Sequence, residues 1–522
     1  TVSLLQFNLL ADGLALDGFL TPRLGYGGQV VDTKKTFYSR VKDTVLGVRE
    51  ASWSDLPRWA SGKKAQADMM KPEVTESQRL SRLLAPCQRE AEEENERRAT
   101  AWPERQEKLA DILRSVRPDI VTLQELDKYS ELAARLAAPD LGYISARASL
   151  DAYAELRNAR LQENDALKKS GAVGEATARY PQQLRAFADA GFAFAPNLYS
   201  NARNFSKDEF HDDQGVAIFW RADRLELLGL DTAVIGKKAD APALRARLGV
   251  KAMGGKVLSV VTTHLSSGPE KEERRHEELR DIRAWLGESG ATLFSADLNS
   301  DIFFDASRNG TGGAARSTAS TCWEQVAGPP GWGLRSVWDP SAPVPATVLK
   351  MRGPATKQPS KMGGLAIETL DHIFYDPAAL RALGPPCVLG GSGLALSRRL
   401  GAFLRLAGDF PREAVETAET MAKAKASRQS TGDIAEARLA ALRTTIEDLK
   451  QVKADFEKEE AELQSELRTL LEALPPWRGE GAGPMEAAEV TEKVLEALCW
   501  QMLPNRQTPS DHFPVFAQFA ML

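Results

Sequence analysis

Apolar residues in this chain gather in short continuous runs more often than in strict alternation. Thr1 to Ala11 (TVSLLQFNLLA) is one such run, too apolar for clean alternation, and predicts a short buried strand. From Trp102 to Val116 the spacing becomes helical, with Leu109, Ile112, Leu113 and Val116 in phase, and Pro118 stops the helix. DIVTLQEL (119–126) predicts the next strand. GVAIFW (215–220), KVLSVVTTHL (256–265) and ATLFSADLNS (291–300) predict three more, with a charged helix over 270–286 between the last two. TLDHIFYD (369–376) is another, and SDHFPVFAQF (510–519) ends in the alternation of a final strand. Helix followed by buried strand predicts a layered α/β architecture.

Other segments are less regular. Residues 12–100 mix Gly/Pro-rich turns near 21–28 with an acidic helical run, EAEEENER, near residue 90. Residues 149–190 look helical and poorly packed, which reads as an insertion. Between 394 and 497 Ala, Glu, Lys, Arg and Leu dominate. A ladder runs through Leu439, Leu442, Ile446, Leu449, Lys453, Phe456, Glu460, Leu463, Leu467, Leu470 and Leu474, apolar at nine of eleven positions. It predicts a long helix with a coiled-coil-like seam. One reading is an antiparallel helical hairpin packed on itself; the other is a protein-binding arm over 394–497. The first is favoured, because a seam alone names no partner. The expected organisation is a main α/β domain over 1–386 with helical insertions near 40–100 and 149–190. A helical hairpin insertion over 387–500 follows, and 501–522 returns as the main domain's final strand.

Composition narrows the class. The 522 residues suffice for a large core, and 43% apolar with 27% charged is ordinary for a globular protein. The net charge of −5 gives no global basic field, so a nucleic-acid ligand would need a local basic groove or metal ions. Cys87, Cys322, Cys387 and Cys499 form no C-x-x-C pair, which argues against a zinc site and a disulfide scaffold and fits a reducing intracellular compartment, cytoplasm or nucleus. No apolar stretch predicts a membrane span. The chain opens at Thr1 directly into a strand-like run and reads as trimmed, so a targeting signal is not legible.

Candidate chemistry lies at the strand ends. Asn8, Glu125, His264, the pair Asp297 and Asn299, and the pair Asp511 and His512 are read as five polar clusters at the C-terminal ends of apolar strands. Burying such groups is costly without a partner or a metal. One would be an ordinary satisfied residue, but five converging on one sheet edge suggest a pocket. Of five histidines, His264, His372 and His512 fall in these strand segments, while His211 and His276 look incidental. Carboxylates and amide oxygens without cysteine favour Mg²⁺ or Mn²⁺. Glu125 is the natural first ligand, Asp297 is suited to orient a water, and His264, His512, Asn8 and Asn299 can donate to phosphoryl oxygens.

The motifs QFN, LQE, THL, ADLN, LDHIF and SDH, in this order from Asn8 to His512, resemble those of the endonuclease/exonuclease/phosphatase superfamily. The stretch AWPERQEKLADILRSVRPDIVTLQELDKY and the later LPN and PSDHF are similar to its nocturnin/deadenylase branch. The resemblance implies a four-layer αββα sandwich of two mixed sheets, with residues 1–386 as the catalytic domain. It implies that Glu125 binds Mg²⁺ with help from Asn8 and Asp511, and that Asp297 positions the water beside Asn299. His264 and His512 would grip the scissile phosphate, and Asp371 would hold the His512 imidazole in its useful tautomer. His372 should point to the opposite face and is read as structural.

There are departures. The branch often has Asp directly before the glycine of the strand that reads GVAIFW; here Asp212, Asp213 and Gln214 precede Gly215. Cations at the substrate rim of nocturnin-type enzymes are replaced by what look like Asn197, Ser266 and Gly268, which weakens the case for a doubly phosphorylated dinucleotide. Lys350 and Arg352 resemble a basic substrate-side motif, or belong to a solvated loop. The expected function is a Mg²⁺-dependent phosphodiesterase, a deadenylase-like 3′-exoribonuclease acting on RNA. The alternatives are a nocturnin-like phosphomonoesterase of a nucleotide or small molecule, and a catalytically silent scaffold that works through its helical region.

Overall fold

A computed structural model of the chain describes residues 1–10, 101–145, 149–197, 214–237, 241–268, 271–287, 290–302, 321–327, 331–339, 341–352, 364–390, 395–409, 433–474, 485–499 and 508–522. The acidic helix expected near residue 90 and the insertion expected near 40–100 lie outside the described residues.

The described chain begins with β1 (Val2–Asn8), α1 (Trp102–Val116), β2 (Ile120–Leu126), α2 (Tyr129–Leu136), β3 (Tyr143–Ile144), α3 (Leu150–Lys169), α4 (Val173–Asp189), β4 (Phe194–Pro196) and β5 (Gly215–Arg221). It continues through β6 (Leu225–Ile235), β7 (Ala241–Val250), β8 (Lys256–His264), α5 (Glu272–Leu286), β9 (Thr292–Asp297), α6 (Cys322–Ala327), β10 (Arg335–Ser336), β11 (Val344–Pro345), β12 (Val348–Arg352) and β13 (Gly364–Glu368). It ends with β14 (Asp371–Tyr375), β15 (Leu380–Ala382), β16 (Cys387–Val388), β17 (Ala395–Leu396), α7 (Arg398–Asp409), α8 (Asp433–Ala473), α9 (Ala487–Cys499) and β18 (Val515–Met521).

Two mixed sheets form the centre. The first runs β15-β18-β1-β2-β5-β3, with β16 beside β18 and β4 beside β5; the second runs β10-β14-β9-β8-β7-β6. β1 is parallel to β2, and β8 to β9. Leu4, Ile120 and Ile218 of the first sheet meet Leu244, Leu258, Leu293 and Ile373 of the second in a shared core. The other face of the first sheet presents Leu5, Phe7, Val121 and Phe219 to Leu109, Leu113 and Leu132 of α1 and α2. The other face of the second presents Val261, Phe294 and Phe374 to Leu279, Ile282 and Val326 of α5 and α6. This is the four-layer αββα sandwich. A strand covered on both faces has no polar face to show, which is why β1, β2 and β9 read as continuous apolar runs.

Two sequence readings need correction. The segment 149–190 is helical, but it is not poorly packed: Tyr153, Tyr180, Leu184 and Phe187 are each at most 1% exposed. The Tyr153 ring packs on Tyr129, Phe192 and Phe194, and Tyr180 and Leu184 enter the core between the sheets. A few widely spaced large residues do the anchoring, so the density of apolar positions understates the packing. The sequence also did not predict β6 and β7, an antiparallel hairpin on the second sheet. β6 is its edge strand, half exposed over most of its length, so polar residues interrupt its pattern.

In the helical region α8 is one helix of 41 residues. From Phe456 onward the ladder residues Leu463, Leu467, Leu470 and Leu474 pack against Leu400, Phe403 and Leu404 of α7 and Val490, Val494 and Leu498 of α9. The buried Glu460 of that ladder accepts a hydrogen bond from Thr491 Oγ1. The side chains of Leu439, Leu442, Ile446 and Leu449 lie outside the described residues. Among the described residues, no helix is long and apolar enough to cross a membrane.

Candidate active site

The parallel pairs carry their chemistry to one edge of the sandwich. Asn8 ends β1 and faces Gln124 in the register of β2, one residue before Glu125. His264 ends β8 opposite Asp297, the last residue of β9. The other two contributors arrive from the opposite direction. β14 is antiparallel to β9 and starts with Asp371 opposite Asp297, and β18 is antiparallel to β1, so the preceding Asp511 and His512 reach the same edge. The expectation that all clusters sit at C-terminal strand ends is therefore corrected: Asp511 and His512 precede their strand, and strand direction explains why the edge is still shared.

Asn8 stands at the centre. Its Nδ2 donates to Glu125 Oε1 at 3.1 Å and to Asp297 Oδ2 at 2.8 Å, while its Oδ1 accepts the Leu10 N–H at 3.0 Å. In this orientation Asn8 presents donors to the two carboxylates. His264 Nε2 lies 3.6 Å from both Glu125 Oε1 and Asp297 Oδ2. Asn299 Nδ2 donates to Leu265 O at 3.0 Å and lies 2.8 Å from His264 Nε2. Since that nitrogen is a donor, the ring nitrogen facing it is the accepting one. The Asn299 N–H binds Asp297 Oδ1 at 2.7 Å, so both oxygens of this nearly fully buried carboxylate are held. Glu125 and Asn299 adopt left-handed backbone conformations, with φ of 52° and 49°. Such strain in non-glycine residues persists only where the surroundings enforce it, and it concentrates at functional sites.

Asp371 and His512 form a buried dyad, with His512 Nδ1 2.8 Å from Asp371 Oδ2. Nε2 faces the site, 3.9 Å from Asp297 Oδ2. Burial by itself would lower the His512 pKa, but the charges of Asp371 and Asp511, the Asp371 hydrogen bond and Asp297 outweigh it and push it up to about 9. Asp511 is buried beside its neighbour, and Ser510 Oγ donates to Asn8 O at 2.5 Å, tying that segment to the end of β1.

The structure thus brings Asn8, Glu125, His264, Asp297, Asn299, Asp371 and His512 into one connected cluster, with Asp511 at its flank. Lys350 and Arg352 lie in β12, paired with Ala366 and Gly364 of β13; their side chains lie outside the described residues. His372 is fully buried, turned from the dyad and stacked on Phe374, and its pKa is lowered to about 4 by burial. Sequence reasoning missed the residues beneath the cluster. Gln6 Nε2 donates to Asp371 Oδ1 at 2.7 Å and to Gln124 Oε1 at 2.8 Å, and Gln124 Nε2 donates to Thr262 Oγ1 at 2.8 Å. The signal was present: two glutamines inside otherwise apolar strands need partners. Arg105 is also buried, donating to Pro509 O at 2.7 Å and to the carbonyls of Leu9 and Leu10.

The model of the Endonuclease/Exonuclease/phosphatase family matches residues 87–397, more than half of the chain. No curated protein matches it. Among solved structures the chain is similar to the human Nocturnin catalytic domain with bound sulfate, at 17% identity and a TM-score of 0.33, covering 54% of this chain and 77% of that one. It is also similar to ANGEL2, a 2′,3′-cyclic phosphatase, at 11% identity and a TM-score of 0.38, covering 99% of this chain and 94% of that one. A mannosyl-6-phosphatase from Bacteroides thetaiotaomicron matches at 11% identity and a TM-score of 0.34, covering 74% and 90%.

Proposed function

The chain belongs to the Endonuclease/Exonuclease/phosphatase family and hydrolyses phosphoric esters, and from that premise we propose that it is a Mg²⁺- or Mn²⁺-dependent phosphodiesterase acting on RNA as a deadenylase-like 3′-exoribonuclease. The observation that carries the reading is Asn8 donating to Glu125 and Asp297 at once, because it joins the two carboxylates that metal binding and water activation would require.

The residues fit a hard cation. Glu125, His264 and Asp297 offer ligand atoms that all lie within 4.8 Å of one another, and no cysteine is among them. Glu125 would hold the ion, with Asn8 and Asp511 beside it; when bound, the ion would polarise a phosphoryl oxygen and offset charge as it builds. The rest falls to the chain. Asp297, fixed by the Asn299 N–H and by Asn8, would accept a hydrogen bond from the attacking water and align it with phosphorus. His512, held by Asp371 and cationic at neutral pH, would donate from Nε2 to a phosphoryl oxygen. Asn299 holds the His264 ring with its lone pair at Nε2, beside the ligand oxygens of Glu125 and Asp297, and Lys350 and Arg352 are the substrate-side cations that the motif resemblance suggests.

RNA as substrate rests on the deadenylase-like motifs, and the loss of rim cations at Asn197, Ser266 and Gly268 speaks against a doubly phosphorylated dinucleotide. The net charge of −5 favours a second reading, a phosphomonoesterase of a single nucleotide, which needs no extended basic groove. The intact polar cluster opposes a silent scaffold. A hydrolysis panel of oligo(A), mononucleotides and NADP⁺ with Mg²⁺, Mn²⁺ or EDTA separates these readings. EDTA-sensitive shortening of oligo(A) from its 3′ end, lost in Asp297→Ala and absent on NADP⁺, is expected. Phosphate release from mononucleotides alone would favour the second reading, and inactivity on every ester would overturn both.

A further inference from the structure

Beyond the active site, a second set of metal-ligating side chains converges behind it. Glu272 and His276 are one turn apart on the same face of α5, and Cys322 opens α6 against them. One ligand atom from each, a carboxylate oxygen, an imidazole nitrogen and a thiol sulfur, all lie within 4.8 Å of one another. Cys322 is fully buried and His276 is 9% exposed.

The His276 ring is held in the tautomer that a ligand needs. Gln325 Nε2 donates to the His276 carbonyl at 3.2 Å, which turns Gln325 Oε1 toward Nδ1, with which it pairs. An amide oxygen only accepts, so Nδ1 carries the proton and Nε2 the lone pair. Metal-binding histidines are commonly oriented by such a bond on the other nitrogen. Nε2 is buried, has no hydrogen-bond partner among the described residues, and lies 3.9 Å from Glu272 Oε1. A buried acceptor left over in an otherwise satisfied cluster calls for a ligand.

We propose that Glu272, His276 and Cys322 form a second cation site, taking a borderline-soft divalent ion of the Zn²⁺ class, separate from the hard-cation site at Glu125. Mixed O, N and S donors select that class over Mg²⁺. Glu272 supplies the anionic oxygen, its other carboxylate oxygen, Oε2, accepting from Arg275 Nε at 3.0 Å. On binding, the ion would take the place of the Cys322 thiol proton, which leaves to solvent as the S–metal bond forms. Occupancy would brace the active site, since Ser300 Oγ donates to Glu272 Oε1 at 2.9 Å and directly follows Asn299. The expectation from cysteine spacing was no zinc site; it covered only ligands close in sequence, whereas this set is assembled from two helices.

The test uses the full chain, stripped of metal, saturated with Mg²⁺ and titrated with Co²⁺. A thiolate-to-cobalt charge-transfer band is expected to saturate at one equivalent. It should be lost in Cys322→Ser, weakened in His276→Gln, and unchanged in Asp297→Asn and Cys387→Ser. Circular dichroism confirms that each variant is folded. No band in the folded parent protein would overturn the site, as would a band that survives Cys322→Ser. Because the readout is a sulfur–metal transition and not hydrolysis, its failure leaves the reading of the Glu125 site standing, and inactivity at that site leaves this one standing.

Discussion

His512 gives the site a pH signature. Its folded pKa is raised from the ordinary 6.5 to about 9, so its contribution to stability is complete below 6.5 and is lost as pH rises through about 9. If its cationic form grips phosphate, kcat should fall over the same upper range. Asp371→Asn removes a charge that holds the proton, so the alkaline limb should move to lower pH; a pH–rate profile with imidazole NMR checks this. An unmoved limb would mean that another group sets it. If Asp297 accepts from the attacking water, Asp297→Asn should lower kcat by roughly a hundred to ten thousand fold; the new amide also faces the Asn8 or Asn299 donor, so the thermal midpoint should fall with a loss of about 1–3 kcal/mol. Both residues were legible in the sequence, as polar groups at the ends of apolar strands. The support beneath them was not. Gln6 reaches Asp371 across 365 positions of chain, and no local pattern tells a buried glutamine which partner folding will bring.

Elements were legible where their periodicity was strong. The helix read over Trp102 to Val116 has those bounds in the structure, because its in-phase leucines face a single core. The β6–β7 hairpin escaped notice, since an edge strand keeps polar residues in its pattern. What joins elements was also missed. Arg105 of α1 is 1% exposed and binds Leu9 O and Leu10 O after β1 and Pro509 O before β18. One guanidinium thus ties the segment that follows Asn8 to the segment that leads into His512. Arg105→Leu leaves those carbonyls unmatched, and hydrogen bonds to a charged group contribute roughly 1.5–3 kcal/mol each. Chemical denaturation should show a loss of about 3 kcal/mol or more, with kcat falling in the fraction that stays folded. Arg105→Lys should recover only part of both, because an ammonium lacks the planar fork that reaches three acceptors. Full recovery by lysine would show that charge alone matters.

At the scale of the whole molecule the open question is whether the helical region is a separate module. The division at residues 387 and 500 was drawn from composition, which reports a change of pattern and not where the side chains pack. The core of α7, α8 and α9 includes Leu349, Ile367 and Phe513 alongside Leu463 and Leu467. Phe513 follows His512 directly, and its N–H is held by Thr347 O at 2.7 Å. His512 of the buried dyad is therefore followed directly by a residue that packs in the core of the helices. We propose that the helical region and the sandwich unfold together. Leu467 is fully buried, and Leu467→Ala should cost about 2–5 kcal/mol. If the two cores are coupled, that loss shifts one common transition, seen alike by circular dichroism and by loss of phosphoester hydrolysis. A module joined only by its linkers would instead melt early on its own and leave hydrolysis intact at temperatures where the helical signal has already fallen. The same comparison bears on the partner-binding reading of 394–497, because helices already committed to the sandwich have less of their apolar surface left to offer another protein.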